Sequence, residues 1–492
     1  MKINNYKSYY FKILDNLKTN YKFYKNSDNE YNYLDAFNFS IKIINYLNKN
    51  KIKKGTICTY SDKSFQMYAS IFPILISGYS WAPLSTSYPT KKIDEITNQI
   101  KPVLIISESY LNNKLKKIKY KKTSFHKINL EKITKTKNYN YEILKKKITL
   151  LNIKNPALVY FTSGSTGKSK GIIISHQNII SDVFAQIKHL HKKKTNLVFG
   201  DYYDTAFSIF FDIYFPAIYL RSTIAPATNL ADIYLPLNHI TKNNVNTLIC
   251  VPSTIQRLKE YFGKKINLNL ETLILTGEPF YLDLLKYIQK NINYKYLFNC
   301  YGGTEMSNWV FFHKCQLGDD KKFKKFGLVP IGKKFYNTQY KIIKNELIVK
   351  GPTVSQGYID KSLNTNFKFG VTNTFFTSDY ALKYKGAIIC KGRNDKMIKI
   401  RGYRVDMSDV EINIRKLKSV NQCIVFEKNK KNYENYMCAA IETNEKKIMS
   451  LRNYLSKKIP SYMIPKEFKI FRKLPTNSNG KIDRKKIVKI FN

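Results

Sequence analysis

The sequence predicts an α/β protein in which helices cover sheets, and three observations lead to this prediction. The chain has 492 residues, which is more than one hydrophobic core usually holds, so two or more domains are expected. Its hydrophobic fraction of 43% is ample for burial. Segments with helical spacing, such as residues 34–47 and 64–77, alternate with short apolar strands such as residues 56–60 and 80–84. This alternation is typical of sheets covered by helices.

The charge of the chain is strongly positive, with 84 Lys and Arg residues against 35 Asp and Glu residues and a formal net charge of +49. A basic face would indicate nucleic-acid binding. Here the lysines are spread along the whole length, and Asn, Ile, Tyr and Phe are abundant as well. We interpret this as a general composition bias rather than a dedicated nucleic-acid site. A salt-sensitive affinity for acidic partners is still expected.

The cysteines and the N-terminus indicate the compartment. There are seven scattered cysteines with no C-x-x-C pair, as expected for free thiols in a reducing compartment: Cys58, Cys250, Cys300, Cys315, Cys390, Cys423 and Cys438. The first residues lack the apolar core of a signal peptide. The longest apolar stretch, residues 71–84, is interrupted by Pro73, Gly78 and Ser80 and is too short to span a bilayer. We therefore expect a soluble cytoplasmic protein without a membrane span.

Residues 112–148 are rich in lysine and weakly patterned, which favours a variable surface excursion. A dense loop of glycines, hydroxyls and lysines follows at residues 161–171, Phe-Thr-Ser-Gly-Ser-Thr-Gly-Lys-Ser-Lys-Gly. Gly164 and Gly167 allow backbone N–H groups to turn toward a phosphate, and the hydroxyls add further donors. This segment therefore predicts a phosphate-binding loop, with a plain Gly/Ser turn as the alternative.

The residues around this loop exclude a Walker A motif. That motif requires glycine at position 162, where this chain has Thr162. It also opens a helix, whereas the β-branched run at residues 172–174 predicts a strand. The loop is therefore predicted to be a flexible phosphate cover between two strands, followed by a helix over residues 176–187.

Further motifs follow in a fixed order: Leu-Thr-Gly-Glu-Pro at 275–279, Asn-Cys-Tyr-Gly-Gly-Thr-Glu at 299–305, Phe-Thr-Ser-Asp at 376–379, Lys-Gly-Arg-Asn-Asp at 391–395 and Asn-Gly-Lys-Ile-Asp-Arg at 479–484. Together with the loop they resemble the adenylate-forming superfamily, which includes acyl-CoA synthetases, luciferase and the adenylation domains of nonribosomal peptide synthetases. The resemblance extends from about residue 30 to residue 486. It implies a large N-terminal adenylation domain and a small, mobile α/β C-terminal lid.

The resemblance implies ATP and Mg²⁺ as cofactors and assigns a nucleotide site. Tyr301 would stack on adenine, Asn299 would bond its edge, and the Asp379 carboxylate would accept both ribose hydroxyls. The implied nucleotide-binding residues are Thr162, Ser163, Gly164, Ser165, Thr166, Gly167, Lys170, Gly277, Glu278, Asn299, Tyr301, Gly302, Asp379 and Arg393.

Three residues are implied as catalytic. Thr304 would donate to the α-phosphate, and Glu305 would supply a hard oxygen to Mg²⁺. Lys481 would bridge the attacking carboxylate and the α-phosphate, which suits a compact ammonium. A chance lysine is the alternative in so lysine-rich a chain, but Asn-Gly before it and Asp-Arg after it argue against that reading.

The domain boundary is implied near Asp395, which matches the hinge residue of the family. Residues 1–394 would form the ATP- and substrate-binding domain, and residues 395–492 the lid that carries Lys481. Gly402 matches the loop glycine that lines the thiol channel after the lid rotates. Within the lid, residues 408–417 predict a helix and residues 422–426 a strand.

The substrate pocket departs from the pattern of amino-acid-activating relatives. They have an Asp that pairs with the substrate ammonium where this chain has Ser208, and a neutral hydroxyl cannot neutralise a buried cation. Asp212, four residues on, could take over the ammonium or hold a cationic side chain; a surface or capping carboxylate is the alternative. By family position the pocket is lined by Ser208, Ile209, Asp212, Ile274, Thr276, Cys300, Asn308 and Trp309.

The implied reaction is the adenylation of a small carboxylate, favoured to be an amino acid, followed by transfer to a phosphopantetheine thiol on a separate carrier protein. Because the last motif ends close to residue 492, we expect a stand-alone ligase, similar to D-alanine–carrier protein ligases and free-standing adenylation domains. An acyl- or aryl-CoA ligase is the first alternative, kept open by Ser208. A degenerate scaffold acting as a basic binding protein is the second.

Overall fold

The computed structural model describes residues 3–111, 113, 126–129, 141–162, 169–192, 195–263, 266–393, 397–417, 419–429, 435–443, 451–475 and 482–491. Its α-helices, in chain order, are α1 (Ile3–Asn16), α2 (Tyr33–Lys49), α3 (Phe65–Ile76), α4 (Thr90–Ile100), α5 (Tyr141–Leu150), α6 (His176–His189), α7 (Ile209–Tyr219), α8 (Leu230–Tyr234), α9 (Leu237–Lys242), α10 (Pro252–Phe262), α11 (Leu282–Asn291), α12 (Asp319–Lys322), α13 (Met407–Arg415), α14 (Leu451–Ser456) and α15 (Arg484–Phe491).

The strands, in chain order, are β1 (Lys22–Lys25), β2 (Glu30–Asn32), β3 (Thr56–Tyr60), β4 (Ser80–Leu84), β5 (Leu104–Ser107), β6 (His126–Asn129), β7 (Pro156–Thr162), β8 (Lys170–Ser175), β9 (Val198–Asp201), β10 (Thr223–Pro226), β11 (Thr247–Cys250), β12 (Asn269–Thr276), β13 (Asn293–Gly303), β14 (Asn308–Lys314), β15 (Lys333–Lys334), β16 (Gln339–Ile343), β17 (Glu346–Lys350), β18 (Phe367–Lys368), β19 (Thr374–Tyr384), β20 (Ala387–Arg393), β21 (Met397–Ile400), β22 (Tyr403–Asp406), β23 (Gln422–Asn429), β24 (Asn435–Glu442) and β25 (Glu467–Phe471).

The described strands form five sheets. The largest has nine strands in the order β15-β14-β13-β12-β11-β9-β10-β1-β2, and a second has six in the order β6-β5-β3-β4-β7-β8. Strands β9 to β13 pair in parallel, whereas β14 runs antiparallel to β13. Strands β16 to β20 form a third sheet, and the hairpin β21–β22 and the sheet β23-β24-β25 follow. The predicted α/β class is confirmed.

The elements predicted from periodicity occur where the sequence placed them. Helix α2 begins at a capping box, in which the Asn32 side chain accepts from the backbone of Asp35 and the Asp35 carboxylate accepts from the backbone of Asn32. Helix α3 begins after Ser64, whose hydroxyl accepts from Met67 N–H at 3.2 Å. Strand β3 lies between them with the predicted bounds of residues 56–60.

The phosphate loop connects two antiparallel strands, as predicted. Strands β7 and β8 pair from Pro156↔Ser175 to Thr162↔Lys170, so these last two residues mark the two ends of the loop. Helix α6 follows at once and is capped by Ser175, whose hydroxyl accepts from Asn178 N–H at 3.2 Å. Strand β8 forms one edge of the six-stranded sheet, so Lys170 lies at that edge.

The prediction for residues 112–148 is wrong for residues 126–129 and 141–148, and residues 112, 114–125 and 130–140 lie outside the described residues. Residues 112–148 were expected to be a surface excursion, but β6 extends the six-stranded sheet by pairing with β5, and α5 begins at Tyr141. Leu144 and Ile148 on α5 are fully buried, and this helix contacts α1 and α3. Helix α5 is amphipathic: its two buried residues are one turn apart, and lysines occupy much of the rest of its surface. These lysines made the apolar spacing hard to recognise in the sequence.

The buried apolar side chains form two groups of clusters that share no residue. One group lies within residues 6–390 and the other within residues 398–491. Helix α13 and strand β23 confirm the predicted helix and strand of the C-terminal part. All seven cysteines are free, and six are buried. No helix in the described ranges is long and apolar enough to cross a membrane.

His176, the first residue of α6, is fully buried and its Nδ1 lies 2.5 Å from the Tyr10 hydroxyl. This position is that of a packing residue. Burial lowers the pKa of His176 to about 3. The folded protein therefore keeps the imidazole neutral at pH values where the unfolded chain protonates it.

We predict that His176 makes the protein acid-sensitive. Below the unfolded-state pKa of about 6.5, the unfolded chain binds one more proton than the folded one, so stability falls by about 1.4 kcal/mol per pH unit from this residue. That loss continues until the folded pKa of about 3 is reached. His176→Gln should therefore flatten the dependence of the unfolding free energy on pH between these limits, as measured by urea unfolding at several pH values.

Tyr10→Phe is the control for this prediction, because it removes the hydrogen bond and keeps the titrating ring. It should lower stability equally at all pH values and leave the slope unchanged. An unaltered slope in His176→Gln would contradict the prediction.

Candidate active site

A cavity of about 80 Å³ lies where the N-terminus of α7, the ends of β12 and β13, and the hairpin β21–β22 meet. It brings together eleven of the residues that the sequence singled out: Ser208, Ile209, Asp212, Thr276, Gly277, Gly302, Thr304, Glu305, Asn308, Trp309 and Asp379. These residues come from segments as far apart as 208 and 379 in the chain. We refer to this space as the central cavity.

Two hydrogen bonds fix one wall of the central cavity. Thr304, in the turn between β13 and β14, and Asn308, at the start of β14, donate these hydrogen bonds to Ser208, the residue that precedes α7. Thr304 Oγ1 donates to Ser208 Oγ at 3.1 Å, and Asn308 Nδ2 donates to Ser208 O at 2.6 Å. The turn closes through Ser307 and Asn308, which have φ values of +51° and +75°. Ser208 is thereby held beside Thr304.

Glu305 is a buried carboxylate next to Thr304. Its Oε1 accepts from the Tyr358 hydroxyl at 3.0 Å, and its backbone carbonyl accepts from Ser355 N–H at 3.0 Å. A side-chain carbon added at Gly303 would lie 3.5 Å from Glu305 Oε2, so the missing side chain leaves room beside this oxygen. One carboxylate with open space beside it fits Mg²⁺, which usually takes one or two carboxylates together with substrate phosphates.

Among the described residues no group of three or more His, Cys, Asp or Glu side chains could hold a metal by itself.

Asp379 lies on β19 and also lines the central cavity. Its N–H donates to Thr377 Oγ1 at 3.0 Å, and its carboxylate accepts from the Tyr301 hydroxyl. Burial, followed by the nearby Asp379 charge, raises the pKa of Tyr301, so the phenol remains a donor. Ser378 has φ +60° and donates its N–H to Glu346 Oε1 at 2.9 Å. A left-handed residue at this position turns the strand at Asp379.

Several predicted residues support the cavity rather than line it. Asn299 donates its amide to Pro330 O at 2.9 Å and to Val329 O at 3.3 Å. Cys300 pairs with Thr276 across β12 and β13, and Ile274 lies on β12 one pleat away. Both side chains are buried.

Gly277 and Glu278 hold the hairpin β21–β22 in place. The Glu278 carboxylate accepts from Ser253 N–H at 3.0 Å, from Ser253 Oγ at 3.1 Å and from Gly402 N–H at 2.9 Å. It therefore caps α10 and binds the tip of the hairpin at once. Gly277, with φ +82°, would bring a side-chain carbon to 3.7 Å from Gly402 Cα. Gly277 therefore lies in van der Waals range of the hairpin.

A second cavity of about 470 Å³ lies on the other side of Gly402. Arg401, Tyr403 and Tyr462 line it, whereas Gly402 itself lines the central cavity. The ring of Tyr403 stacks on Phe207 with centroids 4.4 Å apart and on Tyr462 with centroids 4.0 Å apart. Gly402 thus separates two cavities, with aromatic rings beside it.

The remaining predicted residues are only partly covered by the structure. Ser163, Gly164, Ser165, Thr166, Gly167, Asp395 and Lys481 lie outside the described residues. Thr162 and Lys170 pair at the ends of the loop, and Lys170 Nζ lies 5.7 Å from the centroid of the Tyr358 ring. The backbone of Arg393 pairs with Asp379 on the neighbouring strand.

The comparisons with known proteins agree with this geometry. A family model described as AMP-binding enzyme matches residues 16–359 of this chain, which is more than half of its length.

The chain belongs to the AMP-binding enzyme family.

This AMP-binding enzyme has relatives of very different lengths. It is 27% identical over 460 residues to gramicidin S synthase 2 of Aneurinibacillus migulanus, in a match that covers 87% of this chain and 10% of that protein. The chain thus spans about a tenth of that relative. It is 25% identical over 490 residues to a D-alanine–D-alanyl carrier protein ligase of Staphylococcus haemolyticus (strain JCSC1435), a match that covers 95% of this chain and 96% of the ligase.

Solved structures share the fold. The Vibrio cholerae adenylation domain AlmE in complex with glycyl-adenosine-5'-phosphate superposes with a TM-score of 0.85 at 20% identity, over 98% of this chain and 97% of that one. The amide bond synthetase McbA of Marinactinospora thermotolerans gives a TM-score of 0.81 at 14% identity, over 98% of this chain and 99% of that one. These structures support the α/β assignment of the AMP-binding enzyme.

Two residues behind the central cavity of this AMP-binding enzyme were missed from the sequence. Gln186 on α6 donates one amide nitrogen to Asp182 Oδ2 at 2.5 Å and to Asp212 Oδ1 at 2.8 Å. All three side chains are fully buried. Asp182 and Gln186 are one helical turn apart on the buried face of α6, and this spacing was the signal that could have revealed them.

We predict that Gly302→Ala will damage the site through the backbone. Gly302 pairs with Trp309, and a side-chain carbon at Gly302 would lie 1.4 Å from Asn308 O. Strands β13 and β14 would have to separate at the residues that hold Ser208. Overpacking of this kind should lower the free energy of unfolding by about 2 kcal/mol or more, as measured by chemical denaturation.

Gly370→Ala is the matched control, since the nearest atom to its added carbon is 4.0 Å away. This variant should leave the free energy of unfolding unchanged. Equal stabilities of the two variants would contradict the close approach at Gly302.

Proposed function

We propose that this chain is an ATP-dependent, AMP-forming acid–thiol ligase that adenylates a small carboxylate, favoured to be an amino acid. The observation that carries the proposal is the composition of the central cavity. Thr304, Glu305 and Asp379, which suit a nucleotide phosphate and ribose, line the same cavity as Ser208, Asp212 and Asn308, which offer polar groups to a small acid. The carrier protein ligase that matches over 96% of its own length supports this assignment.

In the first half-reaction, a carboxylate oxygen of the acid attacks the α-phosphorus of ATP. The new carbon–oxygen–phosphorus link forms as the bond to the β-phosphate breaks, which gives acyl-AMP and pyrophosphate. The Thr304 hydroxyl, which donates to Ser208 Oγ at 3.1 Å, can turn its proton to an α-phosphate oxygen. A Mg²⁺ ion held by Glu305 and phosphate oxygens would supply charge neutralisation. Lys481 is assigned to the acyl-phosphate junction by its sequence motif.

In the second half-reaction, a thiol displaces AMP from the acyl group. The cavity of about 470 Å³ offers room for the thiol arm, because its lining residues Arg401 and Tyr403 flank Gly402, which lines the central cavity and carries no side chain. We assign the thiol to phosphopantetheine on a separate carrier protein. Free CoA is the alternative acceptor, favoured by the neutral Ser208 and by the fold shared with an o-succinylbenzoate CoA synthetase at a TM-score of 0.78.

We further propose two domains, residues 1–394 and 395–492, with Asp395 as the hinge. The separation of the apolar clusters at residues 390 and 398 supports this boundary. A basic binding protein on a degenerate scaffold is disfavoured by the convergence of Glu305 and Asp379 on one cavity. We place the protein in the cytoplasm, which its seven free cysteines support.

We predict that the protein catalyses exchange between ATP and pyrophosphate that depends on a carboxylic acid, and that Lys481→Ala lowers the exchange rate at least about 100-fold. The lost ammonium would no longer stabilise the charge that shifts between carboxylate and α-phosphate. The measurement is isotope exchange from labelled pyrophosphate into ATP over a panel of amino, hydroxy and aryl acids.

Lys489→Ala on the exposed face of α15 is the matched control and should exchange at the wild-type rate. Full exchange in Lys481→Ala, or acid-dependent ADP formation, would overturn the proposed function.

A further inference from the structure

Three elements meet behind the central cavity and bury two carboxylates there. Asp182 lies on α6 and Asp212 on α7, and both are fully buried. Gln186 connects them by donating one nitrogen to Asp182 Oδ2 at 2.5 Å and to Asp212 Oδ1 at 2.8 Å. Strand β14 closes the third side, where the backbone of Trp309 faces Asp182 and the Asn308 side chain faces Asp212. We call Asp182 and Asp212 the acid pair.

The acid pair has no cation beside it in the described part of the chain. None of the ion pairs among these residues includes Asp182 or Asp212. Burial raises the pKa of both carboxyls, and the charge of Asp182 adds to the rise at Asp212. Two buried negative charges so close together are costly unless a positive group joins them. With the cavity empty, the pair therefore retains a proton.

Asp212 is the member of the pair that lines the central cavity. Its Oδ1 accepts from Gln186, and its Oδ2 accepts no hydrogen bond from any residue that the structure describes. A buried carboxylate oxygen without a hydrogen-bond partner, on a residue that lines a cavity, is suited to accept a hydrogen bond from a ligand. A bound ammonium would be such a donor and would also neutralise the pair.

The position of Asp212 determines where the cation lies relative to the reacting carboxylate. Ser208 is the residue that Thr304 contacts, at 3.1 Å, and so marks the phosphate end of the cavity. Asp212 follows four residues later, about 6 Å further along the axis of α7. In an α-amino acid the ammonium and the carboxylate share one carbon, so that ammonium would remain near Ser208. A substrate whose ammonium and carboxylate lie at opposite ends of a short chain can span the distance between Ser208 and Asp212.

We propose that the acid pair is the cation-binding end of the substrate pocket and that the acid activated is a short ω-amino acid, whose ammonium binds Asp212 with Asp182 behind it. This rests on the proposed function, because the phosphate end is assigned there. The central cavity of about 80 Å³ limits the chain to a few methylenes. Asp182 is a positioning residue that acts through Gln186 and Asp212, and it would not touch the substrate.

The competing explanation is structural: a protonated acid pair could simply join α6 to α7 through Gln186. The two explanations differ in pH dependence. Ammonium binding requires the pair to release the proton that it holds when empty, so the KM of an ω-amino acid should fall as pH rises. The neighbouring titratable groups are Tyr9, Tyr160 and Cys300, and burial raises the pKa of each, so they remain neutral through this change. A purely structural pair would leave KM independent of pH.

The test is ATP–pyrophosphate exchange with glycine, β-alanine, 4-aminobutyrate, propionate and butyrate across a range of pH. We expect kcat/KM for β-alanine or 4-aminobutyrate to exceed that of the acid of the same length without nitrogen, and that of glycine, at least about 50-fold. Asp212→Asn should remove this preference and the pH dependence of KM together. Asp182→Asn should raise KM for the ω-amino acid more than it lowers kcat.

Asp283→Asn, an exposed carboxylate at the start of α11, is the matched control and should change neither quantity. A preference for glycine or for propionate and butyrate, or an unchanged preference in Asp212→Asn, would overturn the inference and leave the proposed function intact. Exchange with no acid of any class would contradict the proposed function itself. If a variant unfolds, the pH dependence of KM in the unaltered protein decides between the two explanations.

Discussion

The attachment of Ser208 to the turn between β13 and β14 determines the layout of the whole site. Thr304 and Asn308 bind Ser208 from two sides, so the N-terminus of α7 is fixed against the end of the largest sheet. This junction places the residues of the turn and of α7 that line the central cavity. The turn fixes the positions of Thr304 and Glu305, and the direction of α7 fixes the position of Asp212. Gly302 allows the junction because any side chain there would meet the opposite strand.

Much of this could be predicted from the sequence, because the signals were local. The apolar residues of α2 have helical spacing, and β3 is a short apolar run that is buried at four consecutive positions. The β-branched residues after the loop at 161–171 predicted the second of the two strands that this loop connects. That Thr304, Glu305 and Asp379 belong to one site was predicted from the order of the family motifs, and not from hydrophobic patterning or residue propensities. That order also named Asn299 and Cys300, which the structure places beneath the cavity, in its supporting strands.

What could not be predicted depends on contacts between distant segments. Asp182 appears in the sequence as one polar residue in an amphipathic helix, and only the packing of α6 on α7 and β14 buries it beside Asp212. Glu278 looked like part of a nucleotide-binding turn, yet its carboxylate joins the start of α10 to Gly402, which is 124 residues away. Helix α5 was missed because lysines dilute its apolar face.

The most direct test of the account is the transfer of an oxygen atom from the acid to AMP. An acid labelled with oxygen-18 in its carboxyl group should be turned over with ATP and a thiol acceptor, and the AMP formed should be analysed by mass spectrometry. Attack of the carboxylate on the α-phosphorus predicts that each AMP carries one labelled oxygen. AMP without label, or label found in orthophosphate beside ADP, would show that this cavity does not form an acyl-adenylate.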